Sequence, residues 1–253
     1  MPMLQREACR IFYEVAGDGP TTLLLTHGYS ATSYMWRGIV EALKDRYRLI
    51  TWDIRGHGRS DSPSDPAAYS KALALGDMLA LIDAAGADRA ILMGHSLGGY
   101  LSLSFHVEHP DRVGGLILVG TGPGYRNPEA RTGWNDQAEG RAKFFETNGI
   151  DNLELAEAHG KQHRSAEGLA LAARGILAQH DGLVMENLTR IAVPTLIVVG
   201  ADDKPFLGAS DYMAKRIPGA QLVTLPDAGH IPNIDQPAAF EAAVGGFLAR
   251  VAA

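Results

Sequence analysis

The sequence predicts an α/β fold: a mostly parallel central sheet flanked by helices, with a helical insertion. Three observations predict it. Short apolar, β-branched-rich runs alternate with longer helical patterns along the 253 residues. Those runs are nearly continuous rather than alternating, as in strands covered on both faces. One stretch, 122–188, holds helical patterns and no good strand candidate.

The predicted strands are Thr22–Thr26, Arg48–Trp52, Ala90–Met93, Val113–Val119, Thr195–Val199 and Gln221–Leu225. Near the N-terminus a shorter apolar-alternating segment places Cys9 as a passive edge-strand residue. Leu75, Met78, Leu79 and Ile82 fall at i, i+3, i+4 and i+7, the apolar stripe of an amphipathic helix. Gly86 follows as its stop. Leu97–His109 reads as a helix ended by Pro110. Phe240–Val251 reads as a final amphipathic helix. In the insertion, helical character lies around Glu129–Asn148, Leu153–Arg164 and Ala166–Asp181. The expected organisation is a core of 1–121 and 189–253 interrupted by a helical cap, 122–188.

Composition excludes several function classes. The formal net charge is −6 and hydrophobic residues make up 46%. A nucleic-acid binder normally needs a basic face, so none is expected as a partner. No apolar run approaches the ~18 residues of a spanning helix, and no signal-peptide h-region is present, so no membrane partner is expected and the cytoplasm is the expected location. One cysteine excludes a disulfide framework and a Cys-based zinc site.

The chemistry is concentrated in Gly94-His95-Ser96-Leu97-Gly98. A strand runs into a helix through a very short turn. Its central residue is held strained and projects from the top of the sheet. The residues two before and two after must be small, because strand and helix pass close together. This is the G-x-S-x-G nucleophile elbow, here with the strand and helix its geometry requires. A serine hydroxyl needs a base, and the base needs an orienting acid. Chain order for an elbow is serine, acid, histidine. After Thr195–Val199 come Asp202 and Asp203, and after Gln221–Leu225 comes His230. Parallel strands end on one edge, so these residues can converge there. Spacing alone leaves Asp202 and Asp203 in competition. The Leu97 N–H, at the helix start, is the first candidate donor to a developing oxyanion.

These motifs resemble the α/β-hydrolase superfamily, and the likeness covers nearly the whole chain. In that family the acid commonly lies three residues after a glycine closing its strand, which points from Gly200 to Asp203. Thr26-His27-Gly28-Tyr29 is similar to the family's His-Gly-x oxyanion motif, which makes the Tyr29 N–H the second donor. Asp53-Ile54-Arg55-Gly56-His57-Gly58-Arg59-Ser60 resembles the family's D-x-R-G-x-G-x-S loop. There a structural role is expected, with Asp53 and Arg55 tying down loops. The insertion stands where the family carries its cap or lid. The resemblance implies an α/β-hydrolase fold, a catalytic set of Ser96, Asp203 and His230, and no cofactor or metal.

Other residues have plainer expectations. His95 should point away from the nucleophile into packing. His159 and His163 have the i, i+4 spacing of a zinc pair, but no carboxylate-His arrangement follows them. Trp134, Phe144 and Phe145 either line a pocket under the cap or hold its helices on the core. With His27, Gly28, Phe206 and Ile231 they form the candidate substrate-binding set.

A serine nucleophile argues against the haloalkane dehalogenase and epoxide hydrolase branches, which attack with Asp. A compact cap suits a small or medium apolar acyl ester. The expected function is carboxylic ester hydrolysis by a monomer or homodimer. Lactone hydrolysis and C–C bond hydrolysis use the same residues. A ligand receptor of this fold is the contrasting class.

Overall fold

A computed structural model describes residues 2–150 and 163–251. Eight strands form one sheet: β1 (Met3–Gln5), β2 (Arg10–Ala16), β3 (Thr22–Thr26), β4 (Arg48–Trp52), β5 (Ala90–His95), β6 (Val113–Val119), β7 (Thr195–Gly200) and β8 (Gln221–Leu225). Their order is β1-β2-β4-β3-β5-β6-β7-β8. The first two pairings, β1 with β2 and β2 with β4, are antiparallel, and the rest are parallel. The fold is the predicted α/β-hydrolase fold.

The continuous apolar runs have the expected cause. Every residue of β3, β5 and β7 is buried. Side chains alternate across the sheet, so Leu24, Leu92, Leu116 and Leu118 join one apolar cluster. Leu23, Leu25, Ile91, Met93, Ile117 and Val119 join the other. The first cluster is closed by α2 (Lys71–Ala84) and α3 (Leu97–Glu108). The second is closed by α1 (Arg37–Leu43) and a C-terminal helix (Pro237–Val251). In α2 the buried side extends to Leu81, and Leu79 sits at its margin. Ser70 caps this helix, accepting the Leu73 N–H at 3.1 Å, and Gly86 follows it with φ +66°.

Two differences from the sequence reading stand out. Cys9 lies in the connection between β1 and β2, buried, rather than in an edge strand. Helix α1 and a helix after β7 (Lys204–Arg216) were not anticipated.

Between β6 and β7 the described residues hold helices and no strand. They are α4 (Pro128–Asn148), α5 (Ala166–Ala172), which continues into a wider π-type turn to Leu177, and α6 (Leu183–Asn187). The predicted helix around Leu153–Arg164 lies almost wholly outside the described residues. In chain order, α7 is Lys204–Arg216, α8 is Pro232–Asp235 and α9 is Pro237–Val251. Among the described residues no helix is long and apolar enough to cross a membrane.

Candidate active site

Because β3, β5, β6, β7 and β8 are parallel, their C-terminal ends open on one edge. Register keeps those ends level: Thr26 pairs with Gly94, His95 with Val119, and Gly200 with Leu225. The segments that follow carry most of the candidate residues.

Ser96 links β5 directly to α3 with φ +50° and ψ −114°. A non-glycine residue there is strained, by roughly 1–3 kcal/mol, and must be held by its surroundings. The hold is visible. The Ser96 N–H donates to Val119 O at 2.9 Å, and Ser96 O accepts from Thr121 Oγ1 at 2.6 Å. Both flanking glycines are required by space. A Cβ on Gly94 would stand 2.2 Å from Gly98 O, and one on Gly98 would stand 2.2 Å from Thr26 O.

His230 and Asp203 meet across 27 residues of chain. His230 Nδ1 is 2.8 Å from Asp203 Oδ2. The carboxylate is buried, 3% exposed, while the imidazole is 39% exposed, so the pair has a fixed inner end and an accessible outer one. Phe206 stacks on the imidazole at 4.8 Å and 23°. Asp202 is exposed and its N–H donates to Ala228 O at 2.9 Å, so it shapes the turn.

His95 departs from expectation. It does not point away from the site. Its Nε2 donates to His230 O at 2.8 Å, and its ring lies 4.8 Å from the His230 ring. The physical reason is the strained turn, which leaves the preceding side chain beside the β8–α8 loop.

The loop after β3 comes within packing distance of the elbow. A Cβ on Gly28 would lie 2.6 Å from His95 Nδ1 and 3.2 Å from Ser96 Cβ. Neither the Tyr29 N–H nor the Leu97 N–H is donated to a described residue. His27 is a brace instead of a pocket residue. It is fully buried, accepts the Ile54 N–H at Nε2 (2.9 Å) and donates from Nδ1 to Gly28 O (2.7 Å).

A cavity of about 790 Å³ opens over this edge. Ser96, Leu97, Tyr29, Asp203 and His230 line it, with Trp134, Phe206 and Ile231 from the candidate substrate set. His27, Gly28, Phe144 and Phe145 do not. Phe144 is half-exposed on the outer side of α4, and Phe145 is buried edge-on to the Tyr29 ring. Tyr100, Gln137, Arg141 and Gln179 also line the cavity, and sequence reasoning missed them. For Gln137 and Arg141 a signal existed: with Trp134, Ala138 and Phe145 they occupy one i, i+3, i+4 face of α4.

The D-x-R-G stretch is structural. Asp53 accepts the N–H groups of Ser33 (2.7 Å) and Arg59 (2.8 Å), and Arg55 holds Asp77 through two 2.8 Å bonds. His163 bridges Gly58 N–H (3.0 Å) and Ser30 O (2.9 Å). His159 lies outside the described residues.

Chemically, a hydroxyl on a strained turn, an imidazole anchored by a buried carboxylate and two undonated N–H groups around one cavity suit acyl transfer. Residues 23–243 match the alpha/beta hydrolase family. The chain belongs to the α/β-hydrolase family. The chain is 30% identical to a pimeloyl-[acyl-carrier protein] methyl ester esterase of Nitrosomonas europaea, covering 91% of this chain and 96% of the relative. It is 30% identical to 3-oxoadipate enol-lactonase 1 of Acinetobacter baylyi, over 85% and 83% of the two chains. Among solved structures, a thermophilic esterase from Thermogutta terrifontis superposes with a TM-score of 0.84 at 27% identity, over 96% and 94%. MenH from S. aureus superposes at 0.85 with 23% identity, over 95% and 99%, a likeness of fold. As a member of this family with esterase and enol-lactonase relatives, the protein is a hydrolase.

Proposed function

We propose that this α/β-hydrolase cleaves carboxylic esters of small to medium acyl groups through an acyl-enzyme on Ser96. The observation that carries the reading is the 2.8 Å contact of His230 Nδ1 with buried Asp203, opening on the same cavity as the strained Ser96.

Ser96 Oγ attacks the acyl carbon as the His230 Nε2 takes its proton. Asp203 holds the imidazole with Nδ1–H inward and stabilises its cation. The carbonyl oxygen gains negative charge and is met by the N–H groups of Leu97 and Tyr29. Collapse breaks the bond to the alkoxy oxygen, which takes the proton from His230. Water then attacks the acyl-enzyme, giving its proton to His230. The Ser96 oxygen leaves with that proton and the carboxylic acid is released. A lactone follows the same steps with its alcohol tethered. The helices of 122–188 act as a cap that limits the acyl group to the cavity's size.

A fluorophosphonate probe tests the reading. Wild type should label covalently and Ser96→Ala should not, and p-nitrophenyl butyrate should give a burst of phenolate followed by steady turnover. Equal labelling of both proteins, or no turnover of any short ester, would sink the proposal.

A further inference from the structure

The inner face of α4 presents Trp134, Ala138 and Phe145 to the body of the protein, and two exposed polar residues stand beside it at the cavity. These are Gln137 and Arg141, both lining the cavity. Arg141 makes no ion pair with a described residue, and acids of the surrounding segments have other partners. Glu139 and Glu146 are both held by Arg174, and Asp181 is held by Lys71 at 2.6 Å. An exposed guanidinium on a cavity wall, with no carboxylate partner among the described residues, is equipped for one that arrives with a ligand.

Gln179 adds an independent observation. It lines the same cavity, 6% exposed, and its Oε1 has no hydrogen-bond partner among the described residues. Its backbone is clamped to α4: the N–H donates to Asn135 Oδ1 at 2.8 Å, and Asn135 Nδ2 donates to its carbonyl at 2.9 Å. Oε1 abuts Gly124, where a Cβ would stand 2.6 Å away. Flipped about its last bond, the same amide offers its Nε2 donors in place of that oxygen.

Charge is distributed across the cavity. Arg141 acts electrostatically on the Tyr29 hydroxyl, which belongs to the β3 side. Asp202 and Asp203 follow β7, three strand positions away in the order β3-β5-β6-β7. At ~4.8 Å per strand the separation is about 14 Å. Asp202 and Asp203 line the same cavity as Arg141, so an anionic group on a substrate is favoured only on the Arg141 side of it. The net charge of −6 gives no general attraction for anions, so any preference arises locally.

We propose that Arg141, with Gln137 and Gln179, forms an anion subsite, and that the preferred substrates are esters or lactones bearing a carboxylate remote from the scissile carbonyl. This rests on the ester-hydrolase reading above and names its substrate class. Two measurements test it. The first compares p-nitrophenyl hemiglutarate with p-nitrophenyl butyrate. Wild type should favour the hemiester, with a KM that rises with salt for that substrate alone. Arg141→Gln should lower the hemiester-to-butyrate ratio of kcat/KM about tenfold, with Arg141→Lys recovering part of it. Gln179→Met, of similar volume, should lower the ratio by a smaller factor. The second follows Trp134 fluorescence as monomethyl glutarate or methyl butyrate is titrated into Ser96→Ala. Glutarate ester should bind more tightly, and the advantage should vanish in Ser96→Ala/Arg141→Gln. An unchanged ratio, or equal losses on both esters, would overturn the subsite even where Ser96 labels normally. Absence of labelling and turnover would instead overturn the hydrolase reading, and the binding titration would still decide the subsite.

Discussion

The Tyr29 hydroxyl donates to the main-chain carbonyl of Leu169 at 2.9 Å, across 140 residues of chain. One residue thus links the loop after β3 to α5 in the insertion. The residue lines the cavity beside the elbow while its hydroxyl is bonded to the insertion. Burial pushes the Tyr29 hydroxyl pKa well up, so the hydroxyl stays protonated and remains a donor at any ordinary pH.

Tyr29→Phe removes that bond and leaves Leu169 O without its donor. A net loss of about 1 kcal/mol in unfolding free energy is expected. Amide exchange should speed up most in Ala166–Ala172. Because the Tyr29 N–H is retained, kcat/KM should fall by less than tenfold. Urea melts, exchange mass spectrometry and ester assays check each part; a loss above a hundredfold would show that the hydroxyl itself meets the substrate.

Gly28 is where the loop after β3 touches the elbow. In Gly28→Ala the new Cβ meets His95 Nδ1 at 2.6 Å and Ser96 Cβ at 3.2 Å, and neither ring nor elbow is free to retreat. Overpacking of this kind costs about 1–3 kcal/mol. It would also move the Tyr29 N–H relative to Ser96, so kcat should fall more than KM rises. A variant with wild-type kcat and melting temperature would contradict the tight contact.

Much of the fold was legible because burial on both faces leaves a continuous apolar run, as in Leu23–Leu25 and Leu196–Val199. α1 was not, and β1 and β2 left only a short apolar-alternating segment around Cys9 without bounds. β2 is half-exposed, and α1 is a short helix with only Ile39 and Leu43 buried, so neither makes a strong pattern. Ser96, Asp203 and His230 were legible because a strained turn and strand-end loops demand particular residue types at fixed places. Of the candidate substrate set, Trp134, Phe206 and Ile231 line the cavity. Phe144 and Phe145 were not separable by sequence: adjacent helical residues point about 100° apart, and only one of them turns inward. Gln179 escaped because a polar residue on a cavity wall looks, in sequence, like one on a solvated face.

His106 offers a test through pH. It is buried on α3, and burial holds its imidazole pKa below the ordinary 6.5. The unfolded chain therefore takes up this proton first as pH falls. The sign follows: the contribution to stability is complete above the unfolded value and is lost as pH falls from about 6.5 toward the folded one. Urea unfolding between about pH 8 and pH 5 should show this loss in wild type. His106→Leu should flatten that part of the profile. Parallel profiles for the two proteins would remove His106 as the cause.

The two adjacent acids provide the sharpest test of the site. Asp203 is buried and touches His230 Nδ1, whereas Asp202 is exposed and acts through its N–H on Ala228 O. Asp203→Asn keeps the shape but loses the charge opposite the imidazole, and an amide can present its NH₂ to Nδ1, forcing the wrong tautomer. With the proton on Nε2, His230 cannot accept one from Ser96. A fall in kcat of about 10⁴ is expected. Asp202→Asn keeps its backbone bond and should stay within threefold. Fluorophosphonate labelling should slow in the same proportion as kcat for Asp203→Asn, because the defect lies in activating Ser96 rather than in binding. Comparable losses in both variants would mean that the two carboxylates share the role, and a larger loss in Asp202→Asn would reverse the assignment.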